Sequence, residues 1–163
     1  MAQRCPTSTY LGVGRLPGYI WIINDRGYAN VVELPSSSSP AAQEPLLSPT
    51  HDYSSESWGL VYSLLPEDER RLDRNEGVPV AYGKEWLECE FWEGSEKEKV
   101  DVGKKPFTGK KKMLVYVDRS RVTEDEPKEE YVYRMNRGIE DAVARGVPEK
   151  YVKDVMRKFI PEG

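Results

Sequence analysis

The sequence predicts an α+β domain. Three observations lead there: runs rich in β-branched and aromatic residues recur from Thr9 to Val117, apolar spacing of the helical kind dominates after Glu129, and 163 residues suffice for one core but not for two of ordinary size. Residues 1–163 are therefore read as a single unit.

Thr9 to Leu16 and Tyr19 to Asn24 have strand composition, and Pro17-Gly18 between them has turn chemistry, so the two read as a hairpin. Tyr28 to Glu33 follows across Asp25-Arg26-Gly27, where glycine can adopt the positive φ of a tight reversal. Residues 34–57 change character. Ser36 to Ser39 stand in a row with prolines at 35, 40, 45 and 49, a composition that gives neither a regular ladder nor a periodic apolar face. This stretch reads as a mobile surface insertion, and His51 within it as a solvated side chain.

Trp58 to Leu65 returns to strand composition, and Pro66 presets the first turn of a helix. Glu67, Asp68 and Glu69 at its start and Arg70, Arg71 and Arg74 later match the helix dipole, and Gly77 is the expected end. From Trp86 to Trp92 the alternation sets Leu87, Cys89 and Phe91 on one face, and Met113, Val115 and Val117 alternate in the same way. Between these strands, residues 93–112 carry mixed charge and read as a second solvated insertion. Tyr131, Met135, Ile139 and Val143 form one helical stripe ended by Gly146; Pro148 opens a last helix, with Tyr151, Val152, Val155, Met156 and Phe159 facing the core.

Composition narrows the function. Lysines and arginines number 24 against 28 acids, a net charge of −4 that argues against nucleic acid as partner and favours a small soluble ligand. Cys5, Cys89 and one histidine supply neither a disulfide framework nor a structural zinc site, so a reducing, cytoplasmic setting without metal is expected. No apolar run reaches the length of a membrane span. Ser-His and Cys-His catalysis would both have to use His51, which leaves a carboxylate as the better candidate for chemistry.

Glu76 is that candidate. At the C-terminal end of a helix, aligned carbonyls disfavour its negative charge by about 0.3–1 kcal/mol, and burial would raise its pKa further, toward the range where one group can both take and return a proton. The alternative is a solvated glutamate preceding a capping glycine, and it is the reading that spacing alone favours.

Trp58-Gly59-Leu60-Val61-Tyr62, then Leu72-Asp73-Arg74-Asn75-Glu76-Gly77-Val78, then Tyr82, resemble the central strand, helix and following tyrosine of the γ-glutamylcyclotransferases. Arg4-Cys5-Pro6 and Glu130 to Ile139 are similar to flanking segments of fungal members. The resemblance implies a small mixed β-barrel with packed helices. It also implies intramolecular aminolysis: the substrate's α-amine attacks its own γ-carbonyl, releasing 5-oxoproline and a free amino acid. Glu76 would take the ammonium proton and pass it to the leaving nitrogen. Because the nucleophile is tethered, effective molarities of about 10⁵–10⁸ M are within reach without a covalent intermediate. By the same resemblance Tyr82, Tyr116 and Tyr131 surround the pocket, Ala29 and Asn30 pass it with their backbone, and no cofactor is involved. Ordinary packed tyrosines are the competing reading for each of the three.

The chain departs from the family pattern at its start. The family opens with a strand and a Tyr-Gly-Ser-Asn loop whose N–H groups hold the substrate, and here the match begins just after that loop. The first strand is expected to be missing, with a cost in activity, since one lost oxyanion donor alone is worth about 10²–10³ in rate, and with a tendency to associate through an open edge, as a homodimer would. Three further readings stay open: a γ-glutamyl-amine cyclotransferase, a secondary-metabolism relative, and an inactive binding protein.

Overall fold

The computed structural model describes residues 8–35, 51–75, 82–95, 98–103 and 108–162. Six strands, β1 (Tyr10–Pro17), β2 (Tyr19–Ile23), β3 (Ala29–Glu33), β4 (Glu56–Tyr62), β5 (Gly83–Glu93) and β6 (Gly109–Val117), are joined by three α-helices, α1 (Pro66–Asn75), α2 (Glu129–Arg145) and α3 (Glu149–Asp154). Single 3-10 turns occur at Tyr53–Ser55 and Met156–Lys158. This is the α+β architecture expected. No helix among the described residues is long and apolar enough to cross a membrane.

Four strands form one sheet in the order β4-β1-β5-β6, and β2 with β3 forms a separate ribbon; every pairing is antiparallel. The expected hairpin of β1 with β2 is therefore not formed. Tyr10, Val13 and Leu16 of β1 are all buried, so the strand carries apolar groups on both faces and lies at the middle of the sheet, between β4 and β5. At Gly18, with φ 82°, the chain passes from one sheet to the other instead of reversing. The ribbon matches the sequence: β2 and β3 turn at Gly27, with φ 86°, closed by the Asn24 N–H donating to the Tyr28 carbonyl at 2.9 Å.

One face of the sheet packs on the C-terminal helices. Val13, Trp58 and Trp92 meet Ile139, Tyr151 and Met156 there, with the Trp58 and Trp92 rings stacked at 5.2 Å. The other face gathers Leu16, Cys89, Leu87, Met113 and Val115 with Tyr19 and Val31 of the ribbon. The sheet curls over that face. A methyl group at Gly14 would lie 3.0 Å from Val61 Cγ2 on β4 and 3.9 Å from the Met113 sulfur on β6, which brings the two edge strands toward one another.

Both stretches read as solvated insertions are anchored in part. Within 34–57, His51, Tyr53, Glu56 and Ser57 belong to the interior: His51 is 5 % exposed, Tyr53 and Glu56 1 %. Glu56 accepts hydrogen bonds from Arg15 Nε and Nη2 and from Trp58 Nε1, and pairs with His51 Nε2 at 2.8 Å; Arg15 also reaches Glu90 at 2.8 Å. A fully bonded polar cluster can be buried where lone polar groups cannot, which is why polar composition here does not mean solvent exposure. Within 93–112, Val100 and Val102 join the core. Val100 occupies a slot left by two glycines: a Cβ at Gly94 would come 2.6 Å from its Cγ2, and one at Gly146 2.3 Å from its carbonyl oxygen. Its N–H donates to the Arg145 carbonyl at 3.0 Å. Residues 36–50, 96–97 and 104–107 of these stretches lie outside the described residues.

Candidate active site

Pro66 and three acids in the first turn start α1, and one buried apolar residue, Leu72, seats it. Its later turns are fixed to the sheet by two cross-strand neighbours, Lys84 of β5 and Tyr116 of β6. The Tyr116 hydroxyl donates to Asp73 Oδ1 at 2.7 Å; Lys84 Nζ donates to Asp73 Oδ2 at 3.0 Å and to Glu69 Oε2. Partial burial alone would raise the Asp73 pKa, but the hydrogen bonds from Tyr116 and Lys84 and the lysine's charge outweigh it and hold the carboxyl below its ordinary range. Glu76 and the segment through residue 81 lie outside the described residues.

The chain re-enters at Tyr82, next to Gly83, which pairs with Val117 one register step from the Lys84 and Tyr116 pair. Tyr82 is buried, and its hydroxyl donates to the Ala29 carbonyl at 2.8 Å. Asn30, also buried, clamps β3 to the end of β6: Nδ2 donates to the Asp118 and Arg121 carbonyls at 2.8 and 3.0 Å, and Oδ1 accepts from the Asp118 N–H at 3.0 Å. Asp118 in turn receives the Ser120 and Arg121 N–H groups and the Arg121 guanidinium. The side chain of Asn30 thus has a structural task, where the sequence assigned significance to its backbone alone.

Tyr131, in the first turn of α2, meets Tyr28 edge-on at 5.1 Å, with the Arg134 guanidinium 5.0 Å from its ring. Arg26 lies 5.8 Å from the Tyr28 ring and 6.0 Å from that of Tyr82, linking the two tyrosine groups. Ala29, Asn30, Tyr82 and Tyr131 therefore converge around the β2–β3 turn, and Tyr116 stands on the adjoining strands. Arg26 and Tyr28 were not singled out by the sequence; a basic residue beside an aromatic in a turn is too common to signal a site.

A cavity of about 610 Å³ opens beside Tyr116. Leu72 and Glu69 of α1, Leu60 and Val61 of β4, Phe91 of β5, and Met113, Leu114 and Val115 of β6 contribute to its wall. The wall is mainly apolar, and both edge strands of the sheet share in it. Of the described candidate residues only Tyr116 borders it. Cys89 also borders the cavity, but burial, helped by the charge of Glu88, pushes its thiol up to about 11, unlike an activated nucleophile. His51, paired with Glu56, lies away from this wall.

No family model matches the chain, and no curated protein is significantly similar to it in sequence. Solved structures do share its fold. An uncharacterised human protein, known from an ensemble-refined crystal structure, and a γ-glutamyl cyclotransferase each superpose with a TM-score of 0.63 at 16 % identity, covering 99 % of this chain and 80 % of theirs. At that identity the likeness is one of fold.

Proposed function

We propose that this chain is a γ-glutamylcyclotransferase acting through Glu76. What supports the reading is the convergence at one end of the molecule. Asp73 and Tyr82, on either side of the segment that carries Glu76, are each hydrogen-bonded in place, Asp73 by Tyr116 and Tyr82 to Ala29. The fold shared with a solved γ-glutamyl cyclotransferase agrees with it.

In this mechanism Glu76 accepts a proton from the substrate's α-ammonium, the freed amine attacks the γ-carbonyl carbon, and a ring C–N bond forms. The bond from that carbon to the leaving nitrogen then breaks as Glu76 returns the proton to it, and the second proton of the ring nitrogen passes through solvent to the released amine, giving 5-oxoproline and a free ammonium. The reading requires the Glu76 carboxyl to reach the space beside Tyr116. Glu76→Gln should abolish 5-oxoproline release from γ-glutamyl-alanine with an unchanged circular dichroism spectrum; a variant as active as the parent would overturn the assignment.

A second reading, an inactive family member that acts as an interaction protein, is favoured by a specific observation. The hydroxyls of Tyr82 and Tyr116 and the amide of Asn30 are already engaged by the protein itself. The absence of both binding and turnover of γ-glutamyl-alanine by the parent chain would select it.

A further inference from the structure

We infer that the leaving group is a bulky apolar amino acid or amine, seated in the cleft between β4 and β6. This rests on the function proposed above and names the class of substrate that site would take.

The cleft begins at Tyr116, whose hydroxyl is bonded to Asp73 on α1; the proposed function, which needs the Glu76 carboxyl beside Tyr116, would protonate the leaving nitrogen at this end of it. Leu60, Val61, Met113, Val115 and Phe91 make much of the rest of its wall and offer a ligand no side-chain hydrogen bonds, while Ser57, Glu69, Lys111 and Lys112 add polar groups to a mainly apolar lining. Its volume of about 610 Å³ falls within the range of pockets that enclose drug-sized ligands. A leaving alanine would fill little of it. A phenylalanine side chain transferred from water into such a wall gains about 1.5–3 kcal/mol, or about 10–100-fold in affinity.

Charge narrows the class further. Lys111 and Lys112 both border the cleft, and Lys111 extends over the Phe91 ring with its ammonium 5.7 Å from the centroid. Among the described residues Lys111 forms no ion pair. Glu69 also borders the cleft, but its carboxylate is bonded to Lys84, so a leaving group carrying its own ammonium, such as lysine, would meet the charge of Lys111 and Lys112 and lose its hydration deeper in.

The test compares γ-glutamyl-alanine, γ-glutamyl-phenylalanine and γ-glutamyl-lysine on the full chain. It uses kcat/KM for 5-oxoproline release and, in parallel, equilibrium binding to the Glu76→Gln variant followed by tryptophan fluorescence. The phenylalanine substrate should exceed the alanine one by about 10–100-fold, with the lysine substrate lowest. Val115→Trp, which fills the cleft, should collapse the phenylalanine-to-alanine ratio toward one. Leu60→Ala, which enlarges it, should move the preference toward γ-glutamyl-tryptophan and gives an independent readout should the tryptophan variant not fold. Equal turnover of the alanine and phenylalanine substrates would overturn this inference and leave the proposed function standing. Absence of turnover for all three would sink the proposed function; the binding ratio and its response to the two variants would then decide the cleft assignment alone, with no preference for the apolar ligand refuting it.

Discussion

Arg15 grips Glu56 through a two-bonded fork, Nε to Oε2 at 2.8 Å and Nη2 to Oε1 at 3.1 Å, at a depth where the glutamate is 1 % exposed. The pair holds the start of β4 to the end of β1, and removing the guanidinium leaves a buried carboxylate without its counter-charge. Arg15→Met should cost about 3–5 kcal/mol in urea unfolding. Replacing Glu56 as well removes the stranded charge but leaves the buried His51 and Trp58 ring nitrogens unpaired, so the double change should still be destabilised relative to the parent.

Tyr116→Phe deletes the hydrogen bond to Asp73 while keeping the ring against the cavity wall. The expected loss is about 0.5–1.5 kcal/mol, because Asp73 keeps Lys84. Activity should fall by more than this stability loss explains if the α1 end positions the catalytic carboxyl. Equilibrium unfolding and kcat measured on the same variant separate the two effects.

Asp73 also predicts a dependence on pH. Its folded-state pKa lies below the ordinary value of 3.8, so its contribution to stability is complete above that value and is lost as pH falls through the lower, folded-state pKa. Asp73→Asn should therefore destabilise the protein at pH 7, with the gap to the parent closing below about pH 4. Chemical denaturation at a series of pH values reads this directly.

Cys89 should resist alkylation in the folded state. With its thiol pushed up to about 11, the thiolate fraction at pH 8 is on the order of 10⁻³. In a Cys5→Ser background, iodoacetamide labelling should be at least about 100-fold faster in urea than in buffer. Equal rates would mean that the thiol is accessible in the native protein.

The α-helices and the β2–β3 ribbon were legible in the sequence because their signals are local. Pro66 and Pro148 start α1 and α3, Gly146 ends α2, and Gly27 turns the ribbon. The neighbours of β1 were not legible. A strand with apolar groups on both faces announces that it is central, but not that β4 and β5 will flank it in preference to the strand that follows. His51 and Glu56 were hidden for a different reason: each is affordable inside only because Arg15, a residue distant in sequence, meets the carboxylate. At the candidate site, the tyrosines and Asn30 could be named from the resemblance. The engagement of their polar groups by Asp73, Ala29 and Asp118 is a tertiary fact that no spacing encodes.

The slot around Val100 links two places that look unrelated in the sequence. Alanine at position 94 would press on the Val100 side chain and alanine at position 146 on its carbonyl, so the two changes share one displacement, while the strain of alanine at φ 122° belongs to position 146 alone. Their combined destabilisation should therefore fall short of the sum by the part that moving one valine accounts for in both.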